Sequence, residues 1–494
     1  MKKITAFILA FILILSCTVT ASASNPTSYY KYIIENGEVT LTYAHTSKDV
    51  LNIPARIEGY PVTKIKSDVF FNLFRLGNFE AINIPASVTC IETPVIFDIV
   101  GVKAINVDKN NPAYSSKDGV LFNKDKTTII FYPNEKGDSV YKLPEGVVRI
   151  EDYAFRYADT KEIVLPESLE EIGENAFFKA GYLEKLHLPK NVRLIGNDAF
   201  VLNYNLSKVT VDKENPYFSD LNGVLYNKDK TAILYYPVNK EGESYEIPET
   251  VTTIGFNAFQ WLAPLTSVKL PEGLRKIDDK GLSGSSKLFI ELPENLEYIG
   301  NNALESCGFT DLVVPKNVRE IGDGAFRHCN SLKTITLPEG ISYIGEETFA
   351  YAYSLQKITI PHGVTEIRDG AFMSCASLDE VVIPGTVTKI GEKVFDYCKE
   401  KIVIYGFSGS ASEAVADYYG YEFISIDHTY TANVKGDANL DGKLNIRDST
   451  LIQKQLVKVA VLGDTAQNQG DFDENQKLNI RDATAIQKYI ARKT

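Results

Sequence analysis

The stretch that decides the fold is LPESLEEIGENAFFKAGYLEKLH, residues 165–187, followed at once by LPKNVRLIGNDAFVLNYNLSKVT, residues 188–210. The same motif returns as VPKNVREIGDGAFRHCNSLKTIT (314–336) and LPEGISYIGEETFAYAYSLQKIT (337–359). Its period is 22 or 23 residues. A unit this short cannot bury its own apolar face, so the pattern predicts a stack of coils around one continuous core.

Two apolar columns run through the repeats at fixed positions. We expect each column residue to contact its equivalents in the coils before and after it. A glycine follows most of the column isoleucines, and we expect it to allow a sharp turn. The isoleucine column comprises Ile150, Ile172, Ile195, Ile254, Ile277, Ile299, Ile321, Ile344, Ile367 and Ile390. The second column comprises Phe155, Phe177, Phe200, Phe259, Leu282, Leu304, Phe326, Phe349, Phe372 and Phe395.

These repeats resemble the BspA-type leucine-rich repeat family over about residues 50–405. The resemblance implies an α/β repeat fold, namely a right-handed leucine-rich-repeat solenoid with one strand per 22–23-residue coil. It also implies a binding or adhesion role, because members of this family are adhesins and binding scaffolds of bacterial surfaces. We place the solenoid at residues 27–426.

Two repeats carry long inserts, at 107–142 and 211–246, which lie 104 residues apart. In each, two apolar runs flank Asn-Lys-Asp-Lys, a pattern that predicts a β-hairpin. The inserts are rich in aromatic residues, which could form a surface for glycan or protein or could pack the hairpin onto the solenoid. We favour packing, because aromatic residues suit strands in either case. The residues concerned are Tyr114, Phe122, Phe131, Tyr132, Tyr217, Phe218, Tyr226, Tyr235 and Tyr236.

A short helix is predicted after the last repeat, within a C-terminal cap at residues 402–426. Ser410 and Glu413 have the spacing of a capping box, and Gly420 is a helix stop signal. Stacked repeats need such a cap because their last coil would otherwise expose its core.

Two twelve-residue loops near the C-terminus carry oxygen-bearing side chains at alternating positions, and they are offset by 34 residues. Ca²⁺ is a hard cation that takes six to eight oxygen ligands, so each loop is predicted to bind one ion. The predicted ligands of the first loop are Asp437, Asn439, Asp441, Lys443 through its carbonyl, Asn445 and Asp448. Those of the second are Asp471, Asp473, Asn475, Lys477 through its carbonyl, Asn479 and Asp482.

The loops differ from an ordinary EF-hand, because Asp stands at position 12, no helix is predicted before either loop, and the two copies lie close together. In these features residues 434–494 resemble a type I dockerin, a small all-α module with two Ca²⁺ ions. Position 6, where the loop turns sharply, is Gly442 in the first copy and Gln476 in the second. A non-glycine residue is strained at a positive φ, so we expect the second site to bind calcium more weakly.

The resemblance to dockerins also implies a partner, the cohesin domain of a scaffoldin. It places the contacts at loop positions 10 and 11 and on the helix that follows. The two sets are identical in sequence, which would permit two docking orientations. The cohesin-binding residues implied are Ile446, Arg447, Gln453, Lys454, Ile480, Arg481, Gln487 and Lys488.

The N-terminus has the pattern of a signal peptide, residues 1–23. Lys2 and Lys3 precede an apolar run over 4–15, and Ala-Ser-Ala at 21–23 is a cleavage signal. No other segment has the composition of a membrane span. The net charge of −12 argues against a nucleic-acid partner. We therefore expect a secreted, extracellular protein, with residues 427–433 as the linker to the calcium module.

Five cysteines follow the signal peptide, an odd number that does not suggest a disulfide framework. Cys307, Cys329, Cys375 and Cys398 recur at one repeat position. The pairs 307–329 and 375–398 could form bridges, but we favour buried thiols.

Taken together, the motifs predict a non-catalytic, cellulosome-associated protein. Its calcium module would bind a scaffoldin cohesin, and its solenoid would bind polysaccharide, a cell surface or a protein. No catalytic residues are predicted. One alternative is a glycoside hydrolase with an unrecognised site in the solenoid, since acidic residues are frequent there. The other alternative is a passive structural spacer.

Overall fold

A computed structural model describes the repeats and a helix near the C-terminus. The residues described are 28–46, 49–66, 69, 80–92, 101–259, 265–284, 290–426, 452–453 and 480–493. The predicted signal peptide, the linker and all predicted calcium ligands except Asp482 lie outside these residues.

The chain divides into two compact units. The first contains residues up to Asp229 and Tyr235–Glu241, and the second contains Lys230–Leu234 and residues from Gly242 onward. The strands of the first unit are β1 (Ser28–Glu35), β2 (Glu38–Thr46), β3 (Val50–Asn52), β4 (Arg56–Ile57), β5 (Tyr60–Ile65), β6 (Ala81–Ile84), β7 (Cys90–Ile91), β8 (Ile105–Val107), β9 (Tyr114–Lys117), β10 (Val120–Asn123), β11 (Thr128–Phe131), β12 (Val140–Lys142), β13 (Arg149–Ile150), β14 (Glu162–Val164), β15 (Glu171–Ile172), β16 (Lys185–Leu188), β17 (Leu194–Ile195), β18 (Lys208–Val211), β19 (Phe218–Leu221) and β20 (Val224–Asn227).

The remaining elements belong to the second unit, apart from Tyr235 at the end of β21. They are β21 (Ala232–Tyr235), β22 (Ser244–Glu246), β23 (Thr253–Ile254), β24 (Ser267–Lys269), β25 (Lys276–Ile277), β26 (Tyr298–Ile299), β27 (Asp311–Val313), β28 (Glu320–Ile321), β29 (Thr334–Thr336), β30 (Tyr343–Ile344), β31 (Lys357–Thr359), β32 (Glu366–Ile367), β33 (Glu380–Val382), β34 (Lys389–Ile390), β35 (Val403–Gly406), α1 (Ala411–Tyr419), β36 (Glu422–Ser425) and α2 (Ile480–Lys493).

Each repeat that the structure describes without a gap contributes two strands to the stack, so the expectation of one strand per coil was wrong. A two-residue strand carries the column isoleucine, and Ile150 pairs in parallel with Ile172 of the next coil. A second strand follows after the turns, and its Ile163 pairs in parallel with Leu186. The second segment also has alternating burial, with Ile163 inside between two more exposed neighbours, and its backbone groups pair with the next coil in the same way.

An N-terminal hairpin, which the sequence pattern did not predict, closes the start of the first unit. Strands β1 and β2 are antiparallel and joined by Asn36 and Gly37, which both have positive φ. Strand β2 pairs in parallel with β5, and β5 pairs with β7. Val39 and Leu41 of β2 are fully buried, so the hairpin covers the core of the first coils.

The predicted columns form the core of both units, except that Ile195 and Ile390 are only half-buried. In the first unit, Phe155 and Phe177 stack with ring centroids 5.2 Å apart and an interplanar angle of 9°. In the second unit, the four rings from Phe326 to Phe395 stack at 5.5–5.6 Å, within 10° of parallel. These spacings are close to the distance between neighbouring strands, because each ring repeats the position of the one before it.

The glycine after the column isoleucine allows close approach between coils, rather than the turn that we expected. A Cβ on Gly173 would lie 2.5 Å from Oδ1 of Asp152 in the preceding coil. That carboxylate oxygen accepts a hydrogen bond from the N–H of Glu174 at 2.8 Å. In the second unit Asp279 accepts from the N–H of Asn301 in the same way, at 2.8 Å. The acceptor side chain occupies the space that a Cβ would need.

The turns between the two strands of a coil use left-handed residues other than glycine. Tyr157 and Lys179 have φ angles of 59° and 53° at equivalent positions of successive coils. Such a conformation costs about 1 kcal/mol for a residue with a Cβ. Hydrogen bonds between coils offset it, since the N–H of Tyr157 donates to Phe178 O at 3.0 Å.

The predicted capping helix is present as α1. Ser410 caps its N-terminus, Glu413 accepts a hydrogen bond from the N–H of Gly409 at 2.6 Å, and Gly420 ends it with φ 71°. The ring of Tyr419, the last residue of α1, meets Phe395 edge-on at 5.9 Å. The helix therefore lies over the last ring of the phenylalanine column.

Candidate functional site

The two inserts are built into the stack. In the first insert, β9 and β10 form one hairpin, and β10 and β11 form a second, which is the hairpin predicted around Asn-Lys-Asp-Lys. Strand β11 then continues the isoleucine ladder, with Ile129 paired to Ile150. In the second insert, β19 and β20 form the same first hairpin, and Ile233 pairs with Ile254 of the second unit.

Most aromatic rings of the inserts are buried, so the interpretation as packing residues is confirmed for them. Phe122, Phe131, Tyr132, Tyr226 and Tyr236 are all at most 2% exposed. Burial raises the pKa of Tyr132 above its ordinary value, and it does the same for Tyr235. Tyr114 and Phe218 are half-buried, whereas Tyr217 is 51% exposed.

A buried asparagine anchors the second insert to the coil before it. Asn215 is fully buried, and its Nδ2 donates to the carbonyls of Pro189 and Val192 at 3.0 and 2.9 Å. Its Oδ1 accepts from the N–H groups of Tyr217 and Phe218, both at 2.8 Å. The side chain thus makes four hydrogen bonds and fixes the backbone at Tyr217.

The first insert is anchored in the same way. Asn111 donates to the carbonyls of Pro85 and Val88, both at 2.8 Å. It accepts from the N–H groups of Ala113 and Tyr114 at 2.9 and 2.8 Å. The two inserts therefore share one local scaffold.

An open groove of about 410 Å³ lies in the first unit, between the second insert and the coils before it. It is lined by Glu170, Lys190, Asn191, Arg193, Glu214, Pro216 and Tyr217. The coil residues come from the segments before β15 and β17, and the others come from the start of the insert. The anchor at Asn215 brings these distant segments together.

The charged residues of the groove pair with one another. Nε of Arg193 donates to Oε2 of Glu170 at 3.2 Å, and the guanidinium also pairs with Glu171. The pKa of Arg193 is raised, first by the hydrogen bond to Glu170. The ammonium of Lys190 lies 3.9 Å from the carboxylate of Glu214. Each charged residue that lines the groove therefore has a counter-charge within 4 Å.

Comparison with known families identifies the repeats. A family model described as the BspA type leucine rich repeat region matches residues 128–221, 235–308 and 288–402, in six copies. These ranges cover more than half of the chain. The chain belongs to the BspA-type leucine-rich repeat family. The groove is therefore formed by BspA-type repeats and by an insert between them.

Several solved structures are also similar to this chain. A leucine rich cell surface protein from Faecalibacterium prausnitzii is 25% identical, with a TM-score of 0.39, over 80% of this chain and 98% of that chain. The pneumococcal vaccine antigen PcpA is 22% identical, with a TM-score of 0.47, over 81% and 97%. A leucine-rich repeat protein from Eubacterium ventriosum is 18% identical, with a TM-score of 0.46, over 75% and 94%. No curated protein matches the chain.

The predicted calcium and cohesin sites lie mostly beyond the described part of this BspA-type protein. Ile446, Arg447, Lys454 and the ligands from Asp437 to Asn479 fall outside it, whereas Arg481 and Asp482 lie within α2. On α2, Ile480 is 55% exposed, Gln487 is half-buried and Lys488 is exposed. Ile452 and Ile486, which are 34 residues apart, are fully buried.

Of the four cysteines predicted to be buried thiols, Cys307, Cys329 and Cys375 are buried, whereas Cys398 is only partly buried, and none of them forms a disulfide. The Sγ atoms of Cys329 and Cys375 donate to carbonyls of the preceding coil, Leu304 O and Phe349 O, at 3.3 and 3.2 Å. Burial raises the pKa of Cys329 to about 12 and that of Cys398 to about 11. These thiols are packing residues of the BspA-type coil.

Among the residues that the structure describes, no cluster of three or more His, Cys, Asp or Glu side chains is arranged to hold a metal ion. Within the same ranges, no helix combines the length and the hydropathy that a membrane span requires.

The groove residues other than Tyr217 were missed by the sequence analysis. Arg193 and Lys190 occupy exposed repeat positions, where charged residues are common, and nothing local connects them to Glu214. The available signal was the difference between the two inserts, since Ala113 stands where the second insert has Tyr217.

Proposed function

We propose that this chain is a secreted, non-catalytic binding protein of cellulosome type. Its C-terminal module would dock onto a scaffoldin cohesin in a calcium-dependent manner, and its BspA-type repeats would bind a ligand. The observation that carries the proposal is the pair of oxygen-rich loops beginning at Asp437 and Asp471, with identical segments at loop positions 8 to 12. The apolar N-terminal stretch over 4–15 supports secretion.

The donor set of each loop suits calcium. Three aspartates and two asparagines stand at positions 1, 3, 5, 9 and 12, and the carbonyl at position 7 adds another oxygen. Hard cations prefer such all-oxygen sets. Bound Ca²⁺ would neutralise carboxylates that otherwise repel one another, and so hold each loop and its helix in a fixed relation.

The helix α2 supports the proposed docking face. It begins at Ile480, which corresponds to loop position 10, and extends to Lys493. Ala483 and Ile486 are buried, whereas Ile480 and Lys488 are exposed. An exposed isoleucine beside charged residues suits an interface with an apolar centre and a polar rim.

The test is capture of the full chain on a panel of immobilised type I cohesin domains. We expect retention in calcium and release in EDTA. The double variant Asp437→Ala, Asp471→Ala should lose at least tenfold in affinity, and Asp125→Ala, an exposed aspartate of the first insert, should behave as wild type. Retention that is equal with and without EDTA would overturn the proposal, as would no retention by any cohesin.

The two calcium loops provide a second test, by calorimetry with Ca²⁺. We expect two sites, of which the second is about fivefold weaker. The reason is that Gln476 stands at loop position 6, where the first loop has Gly442, and a positive φ there costs a non-glycine residue about 1 kcal/mol. Gln476→Gly should bring the two affinities together. Two equal sites in the unmodified chain would contradict this expectation.

A further inference from the structure

The second insert has a groove whose features are absent from its twin. The backbone hydrogen bonds show which residues of the two copies are equivalent. The N–H of Arg193 donates to Glu170 O at 2.8 Å, and in the same way the N–H of Thr89 donates to Thr63 O at 2.9 Å. The first insert and the coils before it have a small or uncharged polar residue at each of the five positions that correspond to the groove residues. Thr63, Ala86, Thr89, Asn110 and Ala113 stand where the second copy has Glu170, Lys190, Arg193, Glu214 and Tyr217.

The scaffold therefore does not require the groove residues. Both copies keep the buried asparagine with its four hydrogen bonds, and both bring a lysine back to that asparagine's carbonyl, Lys124 in one and Lys228 in the other. The groove side chains are 44–78% exposed where they form ion pairs, and exposed pairs contribute little to stability. A fold-stabilising role does not account for them.

Tyr217 presents a half-exposed aromatic ring from a hydrogen-bonded backbone. Its N–H donates to Asn215 at 2.8 Å, and its carbonyl accepts from the N–H of Lys228 at 2.8 Å. Because its backbone is held on both sides, only the two side-chain torsions of Tyr217 lose freedom when a ligand covers the half-exposed ring. An aromatic ring that is apolar on its face and polar at its hydroxyl suits an amphipathic ligand.

The charge pattern of the groove selects the class of ligand. Two cations, Lys190 and Arg193, face two carboxylates, Glu170 and Glu214, and the pairs lie within 4 Å. A phosphate or a uronic acid would compete with these carboxylates for the cations, and a basic peptide would compete with the cations for the carboxylates. A neutral polyhydroxylated molecule would instead accept from the cations and donate to the carboxylates while the pairs stay in place.

We propose that this groove binds a neutral saccharide chain, with one sugar ring stacked on Tyr217 and its hydroxyl groups hydrogen-bonded to Arg193 and Glu214. The volume of about 410 Å³ lies within the range of small-ligand clefts. The inference rests on the binding role proposed above for the repeats, but it does not depend on the calcium module.

The test is affinity electrophoresis of the full chain in gels that contain xyloglucan, mixed-linkage β-glucan, galactomannan or arabinoxylan, with polygalacturonate as the charged comparison. We expect at least one neutral polysaccharide to retard the protein and polygalacturonate not to. Tyr217→Ala, which installs the residue of the first insert, should weaken binding at least tenfold. Arg193→Thr, also the residue of the first copy, should weaken it about threefold to tenfold.

The matched control is Tyr204→Ala, which removes another half-exposed tyrosine, 55% exposed, from outside the groove. It should leave retardation unchanged. The proposal is overturned if no neutral polysaccharide retards the protein, if only polygalacturonate does, or if both tyrosine variants lose equally.

Calcium-dependent attachment to cohesins is tested with the same protein preparations. Saccharide binding should persist in EDTA, and Tyr217→Ala should still be captured by cohesins in calcium. If no cohesin captures the chain but a neutral saccharide binds, the attachment role is refuted and the proposal for the groove stands. If cohesins capture the chain but no neutral saccharide binds, the proposal for the groove is refuted and the attachment role stands.

Discussion

The two inserts share a buried framework and differ at the surface beside it. Asn111 and Asn215 make the same four hydrogen bonds, and Phe122 and Tyr226 are equally buried. Beside the shared anchor, the first copy has a small residue, Ala113, where the second exposes Tyr217. Within one molecule, therefore, a scaffold is kept while the surface chemistry changes, and that separates residues needed for folding from residues available for binding.

The largest effect is expected where the copies agree most. Phe122→Ala and Tyr226→Ala should each lower the free energy of unfolding by about 3–5 kcal/mol, because each leaves a cavity at a fully buried ring. Equilibrium denaturation of the full chain measures the loss. A substitution that is tolerated in one copy alone would break the structural equivalence of the inserts.

The anchors come next. Asn111→Ala and Asn215→Ala should each cost about 3 kcal/mol, because two carbonyls and two N–H groups lose their partner in a buried place. Asn110→Ala is the control, since Asn110 is the exposed neighbour of the anchor. If Asn215→Ala cost no more than the control, the groove would lack the fixed backbone that we ascribe to it.

The hairpin turns should show a smaller effect that is again shared. Gly119→Ala and Gly223→Ala should each cost about 2 kcal/mol, because φ is positive and the new Cβ would lie 2.8 or 2.6 Å from the Cβ of Ala104 or Lys208. Gly37→Ala, at φ 79° with no atom within 4 Å, isolates the backbone part at about 1 kcal/mol. Equal losses at all three glycines would show that the contacts with Ala104 and Lys208 are unimportant.

The smallest effect on stability is expected at Tyr217, where the two inserts differ. Tyr217→Ala should change the free energy of unfolding by no more than about 0.5 kcal/mol, because the side chain is half-exposed and alanine already serves at the equivalent position. Thermal denaturation in parallel with the saccharide assay measures it. A large loss of stability would mean that Tyr217 is a packing residue and that the copies differ in their framework.

The sequence was sufficient for the core. Positions such as Ile172 and Phe177 recur at a fixed period, and periodicity is the direct consequence of stacking, so their burial could be read from the pattern. The helix after Ser410 was equally accessible, because its capping signals are local.

Features that depend on neighbouring coils were harder to predict. The second strand of each coil, for example Glu162–Val164, is three residues long and becomes a strand only because an equivalent segment lies beside it. Gly173 resembled a turn glycine, yet the reason for it is the carboxylate of Asp152, 21 residues earlier. The groove depends on Tyr217 meeting Arg193, which no local pattern encodes.

One set of hydrogen bonds between coils has a fixed direction, because an aspartate of one coil accepts from a backbone N–H of the next coil. Asp152 accepts from the N–H of Glu174, and Asp279 accepts from the N–H of Asn301, so in both cases the acceptor belongs to the earlier coil. A polypeptide that emerges N-terminus first can complete each coil only after the next one has followed. A product that stops early therefore ends on an unfilled acceptor beside a bare aromatic ring, and we expect proteases to remove it faster than the full-length chain.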